Sequence, residues 1–168
     1  MTTISMYNAS VPVFIKMLNN LNAILGKAAT WSEAKKIDEK YLMSARIAPD
    51  MLPFTKQIQI ATDGVKGCAA RLAGIEVPKY EDNEASFAEL KARVAKTIAF
   101  LETIKPEQVN GSEDKHIELK FGPNSFSFKG LDYLLTFVNP NLYFHFTTAY
   151  AILRHNGLDI GKKDFLGG

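Results

Sequence analysis

Apolar residues recur along this chain with a helical period in four segments. In the first, Phe14, Met17, Leu18, Leu21, Leu25 and Ala28 fall at i, i+3, i+4 spacing, and Ser10 with Pro12 stands where a helix would start. The second is a stricter seam. Phe54, Ile58, Ala61, Val65, Cys68 and Leu72 alternate steps of four and three, as on the inner face of a bundle helix. Asp50 is placed to cap it, Pro53 to occupy its first turn and Gly74 to end it. The third segment follows Asp82-Asn83 and aligns Phe87, Leu90, Val94, Ile98 and Leu101. Its other face carries Glu89, Lys91, Arg93 and Lys96 and reads as solvated, with Glu89 and Arg93 spaced for a helical ion pair. The fourth runs from Asn139 as cap, through Pro140 at the first helical position, to Gly157 just past the end. Arg154 and His155 fall in its last turn, where the helix dipole favours positive charge. It is apolar nearly all round, which predicts a buried helix.

Two stretches break the period. Residues 29–49 are a long connection predicted to hold a short helix from Ser32 to about Ala45. Between the third and fourth helices, Ile117, Leu119 and Phe121 alternate with His116, Glu118 and Lys120. Gly122-Pro123-Asn124-Ser125 is turn chemistry, and Phe126 and Phe128 alternate again. The expected fold is therefore mainly all-α: a four-helix bundle with a small β-hairpin inserted between helices 3 and 4, its apolar side on the bundle, in one domain over residues 1–168.

Composition narrows the function classes. The 168 residues suffice to bury a sizeable core, and 20 basic against 18 acidic side chains leave a formal charge of +2. No basic cluster marks a nucleic-acid footprint. The apolar region from Leu131 to Leu153 is interrupted by Asn139-Pro140 and carries His145, which argues against a membrane span. The first basic residue is Lys16, so the start lacks the charge of a secretory signal. Cys68 is the single cysteine, so no intrachain disulfide forms and a cytoplasmic location is expected.

Candidate chemistry centres on His145. Flanked by Phe144 and Phe146, its ring needs a hydrogen-bond partner to be buried without cost. Asn141 lies one turn earlier on the same face, and Thr148, Gln57 or Asp63 can supply other partners. A satisfied core histidine is the plainest account, and a ligand-binding or acid–base role is the alternative, because a free imidazole titrates near ~6.5. His145 and His155 are ten residues apart on one helix. That is about 15 Å along the axis, too far to share an ion bound at about 2.0–2.1 Å. Asp63 with Lys66 at i+3 reads as a local surface ion pair, and Cys68 on the seam as an inert core thiol.

The capped helices, the hairpin before the fourth and the run from His145 to Gly157 resemble the DinB/YfiT-like superfamily. Within it, Ala45-Arg46-Ile47-Ala48-Pro49-Asp50-Met51, Phe144-His145-Phe146-Thr147-Thr148-Ala149-Tyr150 and Gly161-Lys162-Lys163-Asp164-Phe165-Leu166-Gly167 resemble a bacterial branch known as a domain of unknown function. The resemblance implies a four-helix bundle, often dimeric, so a homodimer is expected. Many such relatives hold a divalent metal with a histidine of the second helix and a His-x-x-x-His of the fourth, and some are thiol S-transferases. Carried onto this chain, those three positions become Gln57, Asn141 and His145, one imidazole and two amides, and amides are poor ligands for the softer divalent metals. Three readings follow. One is a small-molecule-binding, non-metal member with His145, Asn141, Gln57, Asp63 and Thr148 around its pocket and no cofactor. The second is a metal-dependent enzyme, a thiol transferase or hydrolase, with His145 as ligand or base. The third is a structural homodimer without a ligand.

Overall fold

The computed structural model describes residues 4–168, with Phe121 described by its backbone alone. The elements follow in the order α1 (Val11–Lys35), α2 (Glu39–Ser44), α3 (Phe54–Ala73), α4 (Phe87–Glu102), α5 (Pro106–Val109), β1 (His116–Phe121), β2 (Asn124–Lys129), α6 (Gly130–Asp132), a π-helical turn (Tyr133–Val138), α7 (Asn139–His155) and α8 (Lys162–Leu166). The four long helices make the bundle, α1 packing chiefly on α4 and α3 chiefly on α7. Every residue of the predicted α1 and α3 seams is buried, and so are Phe87, Leu90, Val94 and Leu101 of α4. Full burial of each large apolar side chain contributes about 1.5–3 kcal/mol, so these seams are the main source of stability.

Among the described residues no helix is long and apolar enough to cross a membrane. Below the bundle, α8 lies on α1, where Asn20 donates to the Phe165 carbonyl at 3.0 Å and Lys27 pairs with Asp164. The phenyl ring of Phe165 stacks obliquely on Phe146 at 4.4 Å.

Several predicted boundaries move, each for a local reason. Helix α1 runs on through Ser32 to Lys35 and ends on Lys36 in the left-handed region (φ 55°), so the short helix is only Glu39–Ser44, capped by Asp38. Asp50 lies in a turn and caps nothing. Pro53 takes the N-cap position of α3, and its carbonyl accepts from Gln57 N at 3.1 Å. Gly74 does end α3, at φ 75°.

The hairpin pairs Ile117 with Phe128 and Leu119 with Phe126, around a turn of only Gly122-Pro123. Gly122 carries φ 58°, the positive value a two-residue hairpin turn requires. Ile117 and Leu119 of β1 are buried on the bundle whereas Phe126 of β2 is exposed. The predicted inward facing of Phe121 lies outside the described residues.

Asn139 is the first residue of α7 and not its cap. Val138 and Asn139 both have right-handed helical angles, so the chain stays helical from Gly130 to His155. Pro140 has no N–H to give to the preceding turn, and the wider π turn directly before it accommodates that loss. The Asn139 Oδ1 is left buried with no hydrogen bond among the described residues. Nor is α7 buried all round. Tyr143 and Phe144 are exposed and, with Ile47, Thr147, Thr148 and Ala151, line a shallow uncharged groove.

Candidate functional site

The five residues picked out from the sequence do not line one pocket. His145 and Gln57 meet in the core: the imidazole Nδ1 lies 2.6 Å from Gln57 Oε1. Gln57 Nε2 donates to the Leu52 carbonyl at 2.9 Å, which fixes the amide orientation and makes Oε1 the acceptor. The proton therefore sits on Nδ1 of a neutral ring. Burial pushes the His145 pKa below its ordinary value of 6.5, which agrees with that assignment. Thr148 turns the other way, donating to Phe144 O of its own helix at 2.7 Å and facing the shallow groove. Asn141 and Asp63 lie on a third surface, described below.

The superfamily resemblance raises a metal at Gln57, Asn141 and His145, and the geometry does not fit one. Two ligands about 2.0–2.1 Å from a tetrahedral ion stand roughly 3.3 Å apart. The 2.6 Å between His145 and Gln57 is instead a direct hydrogen bond. Gln57 spends both ends of its amide on the protein, and Asn141 is directed at Gly64. Among the described residues no group of three His, Cys, Asp or Glu side chains is placed to hold an ion.

A deep concavity lies beside α3. It has a volume of about 660 Å³, and its walls come from α3, the non-helical strap that follows it, β1, the π turn and the start of α7. Two glycines open it. At Gly64 an added Cβ would come within 3.3 Å of Asn141 Nδ2, and at Gly67 it would collide with the guanidinium of Arg71. Each such glycine costs a helix interior about 1 kcal/mol against alanine, so their presence in mid-helix needs a reason, and the open space supplies it. Ile60, Val77, Pro78, Leu119, Tyr133 and Phe137 give an apolar lining, among which stand Asp63, Lys66, Arg71, Tyr80 and Asn141.

The strap, residues 75–86, is held down by a charge cluster. Arg93 is buried, contrary to the solvated face predicted for it, and all its donors are used. Its Nε donates to Thr62 Oγ1 at 2.7 Å, Nη1 to Asp82 at 2.7 Å and Glu84 at 3.0 Å, and Nη2 pairs with Asp63 at 2.8 Å. Burial alone would raise the Glu84 carboxyl, but hydrogen bonds from Gln59 and Arg93 outweigh it and hold the group below the ordinary carboxylate value. Glu89, the expected partner of Arg93, turns back to the helix start and accepts from Ala85 N at 2.6 Å. Lys66 does pair with Asp63, at 2.7 Å, but as a buried side chain rather than at the surface. Its ammonium also sits 3.6 Å from the centre of the Tyr80 ring, with Lys96 and the Arg93 guanidinium near the same ring.

Arg71 is different. Its Nη1 donates to the Tyr133 hydroxyl at 3.1 Å, and among the described residues neither Arg71 nor Lys79 enters an ion pair. Burial pushes the Tyr133 hydroxyl up to about 12, so it stays protonated at neutral pH. Cys68, next to Gly67, is fully buried and its thiol is pushed well above the ordinary range by that burial, as an inert core thiol should be.

Of the residues that matter most to this cleft, Gly64, Gly67, Arg71, Tyr80 and Tyr133 are not singled out by the sequence pattern, and Arg93 is read there only as a surface partner of Glu89. Two signals pointed to them: the paired glycines inside a strong helical seam, and the acidic run Glu81, Asp82, Glu84 just before a helix carrying Arg93.

Comparison with known proteins agrees with this architecture. Residues 6–166 match the model of a family described as a domain of unknown function, DUF1993. A crystal structure of a DinB family member protein from Shewanella denitrificans superposes with a TM-score of 0.87 at 40% identity, over 96% of this chain and 92% of that one. Among curated proteins no match was found.

Proposed function

The chain belongs to the DUF1993 family, and from that premise we propose that it is a small-molecule-binding protein whose site is the cleft between α3, the strap and the π turn. One observation carries this reading: the two helix-interior glycines, at a cost in helix stability, keep open a cleft of about 660 Å³. That volume falls within the roughly 300–1,000 Å³ of ligand pockets, and an apolar wall with a few converging polar groups is their usual composition. His145 has a different part. It ties α7 to α3 through Gln57 and belongs to the framework behind the cleft.

The test is a fragment screen by NMR on uniformly ¹⁵N-labelled protein. Binding fragments should shift the amides of Gly64, Gly67, Arg71 and Asn141. Gly64→Met, which places a side chain in the cleft, should abolish those shifts, and His145→Asn should leave them. Shifts confined to the surroundings of His145, or a complete lack of cleft perturbation across the screen, would overturn the assignment.

A further inference from the structure

The charges around the cleft are not equally available, and this selects a ligand class. Asp63, Asp82 and Glu84 face Lys56, Lys66 and Arg93, three charges of each sign within one cluster. Lys66 is tied to both Asp63 and the Tyr80 ring, so its ammonium is committed. Arg71 keeps an uncompensated guanidinium at the cleft wall. It is also fixed in place: the missing Cβ of Gly67 seats it on the helix, and Tyr133 accepts from Nη1. One edge of the fork is thus engaged, and the remaining N–H groups are left for a ligand. Tyr133 accepts from Arg71 and retains its own proton to donate.

An immobilised guanidinium of this kind is suited to a planar two-oxygen anion, which it grips through two parallel N–H···O bonds. A phosphate would ordinarily be cradled by the backbone amides of a helix N-terminus. No helix N-terminus borders this cleft among the described residues. The amides of α3 beside it are in mid-helix, Pro78 has none, and the start of α7 is continuous with the π turn. Apart from Asp63, Lys66, Lys79 and Asn141, the rest of the lining is apolar and aromatic. We propose that the cleft binds a small monocarboxylic acid with an apolar, ring-sized body, its carboxylate on Arg71 and Tyr133 and its body against Leu119, Val77 and Phe137.

This inference rests on the cleft being the binding site, and the experiment separates the two. Phenylacetate, its neutral counterpart 2-phenylethanol and inorganic phosphate are titrated into the wild-type protein, Arg71→Gln and Gly67→Ala, with cleft amides followed by NMR and melting temperature recorded for each variant. Phenylacetate is expected to bind roughly tenfold or more tightly than 2-phenylethanol, and Arg71→Gln to erase that preference. Gly67→Ala keeps the charge and suits a helix better, so its melting temperature should not fall, yet it dislodges the guanidinium and should weaken phenylacetate alone. Equal binding of acid and alcohol, indifferent to Arg71→Gln, would overturn the acid class while keeping the cleft. Arg71-dependent binding of phosphate in preference to phenylacetate would overturn the carboxylate assignment. A cleft that responds to none of the three probes, nor to any fragment, would overturn both readings.

Discussion

The contact between α3 and α7 has two levels, and they treat polar residues in opposite ways. At one, Gln57 and His145 close on each other and leave both side chains buried. Two turns further along α3, about 10.5 Å away by helix rise, Gly64 faces Asn141 and the helices stand beside open space. At the closed level Gln57 spends both ends of its amide on the protein, one of them on the imidazole Nδ1. The open level keeps an arginine whose charge the protein does not answer. A conspicuous histidine is thus less informative about binding than a pair of inconspicuous glycines, because its ring is held through Nδ1 by Gln57 whereas the glycines leave room beside an unanswered charge.

The sharpest way to break the contrast is on the open side. Replacing Arg93 by Ala strips Asp63, Asp82 and Glu84 of their shared partner. The expected loss is about 3 kcal/mol, at the low end for removing one member of a buried pair because Asp63 and Asp82 keep part of their hydration. Urea unfolding measures it, and the amides of the strap should lose exchange protection first. Next comes the closed side. His145→Ala leaves Gln57 Oε1 buried without its donor and should cost about 2 kcal/mol from the orphaned acceptor and the small cavity. Binding in the cleft should survive the change. A binding loss there with stability intact would reverse the roles assigned to the two levels.

A smaller effect is expected at the start of α4, where the Ser86 hydroxyl accepts from Glu89 N at 3.2 Å. Ser86→Ala should lower stability by about 1 kcal/mol, read from the same unfolding curves, without altering the cleft. The smallest is a pH slope. The folded pKa of His145 lies below its unfolded value of 6.5, so the unfolded state binds the proton first and stability falls as pH drops below about that value. The Glu84 carboxyl, held below its ordinary 4.5 when folded, adds a second loss as pH falls through that lower value. Stability against pH in His145→Gln should lose the first decline and keep the second.

The bundle was legible because its signals are periodic and local: the seams of α1 and α3 could be read residue by residue, as could the glycine that ends α3. Boundaries set by backbone context were not. Asn139-Pro140 has the composition of a helix start, and only the π turn before it lets the helix run through. Arg93 looked solvated because its partners Asp63, Asp82 and Glu84 come from another helix and a strap, which no helical spacing reveals. The cleft was hidden for a related reason. It is bounded by five separate parts of the chain, and its diagnostic residues carry no side chain at all.

Cys68 has a use that its inertness creates. Its sulfur is sealed at the back of α3, beside the glycine that seats Arg71, and it is the protein's one thiol. A thiol reagent added to the native protein can react only when that stretch of wall opens, so the labelling rate is a clock for the opening. A ligand that stabilises the closed wall would slow the clock in proportion to its occupancy, which makes the chain its own reporter without any added label.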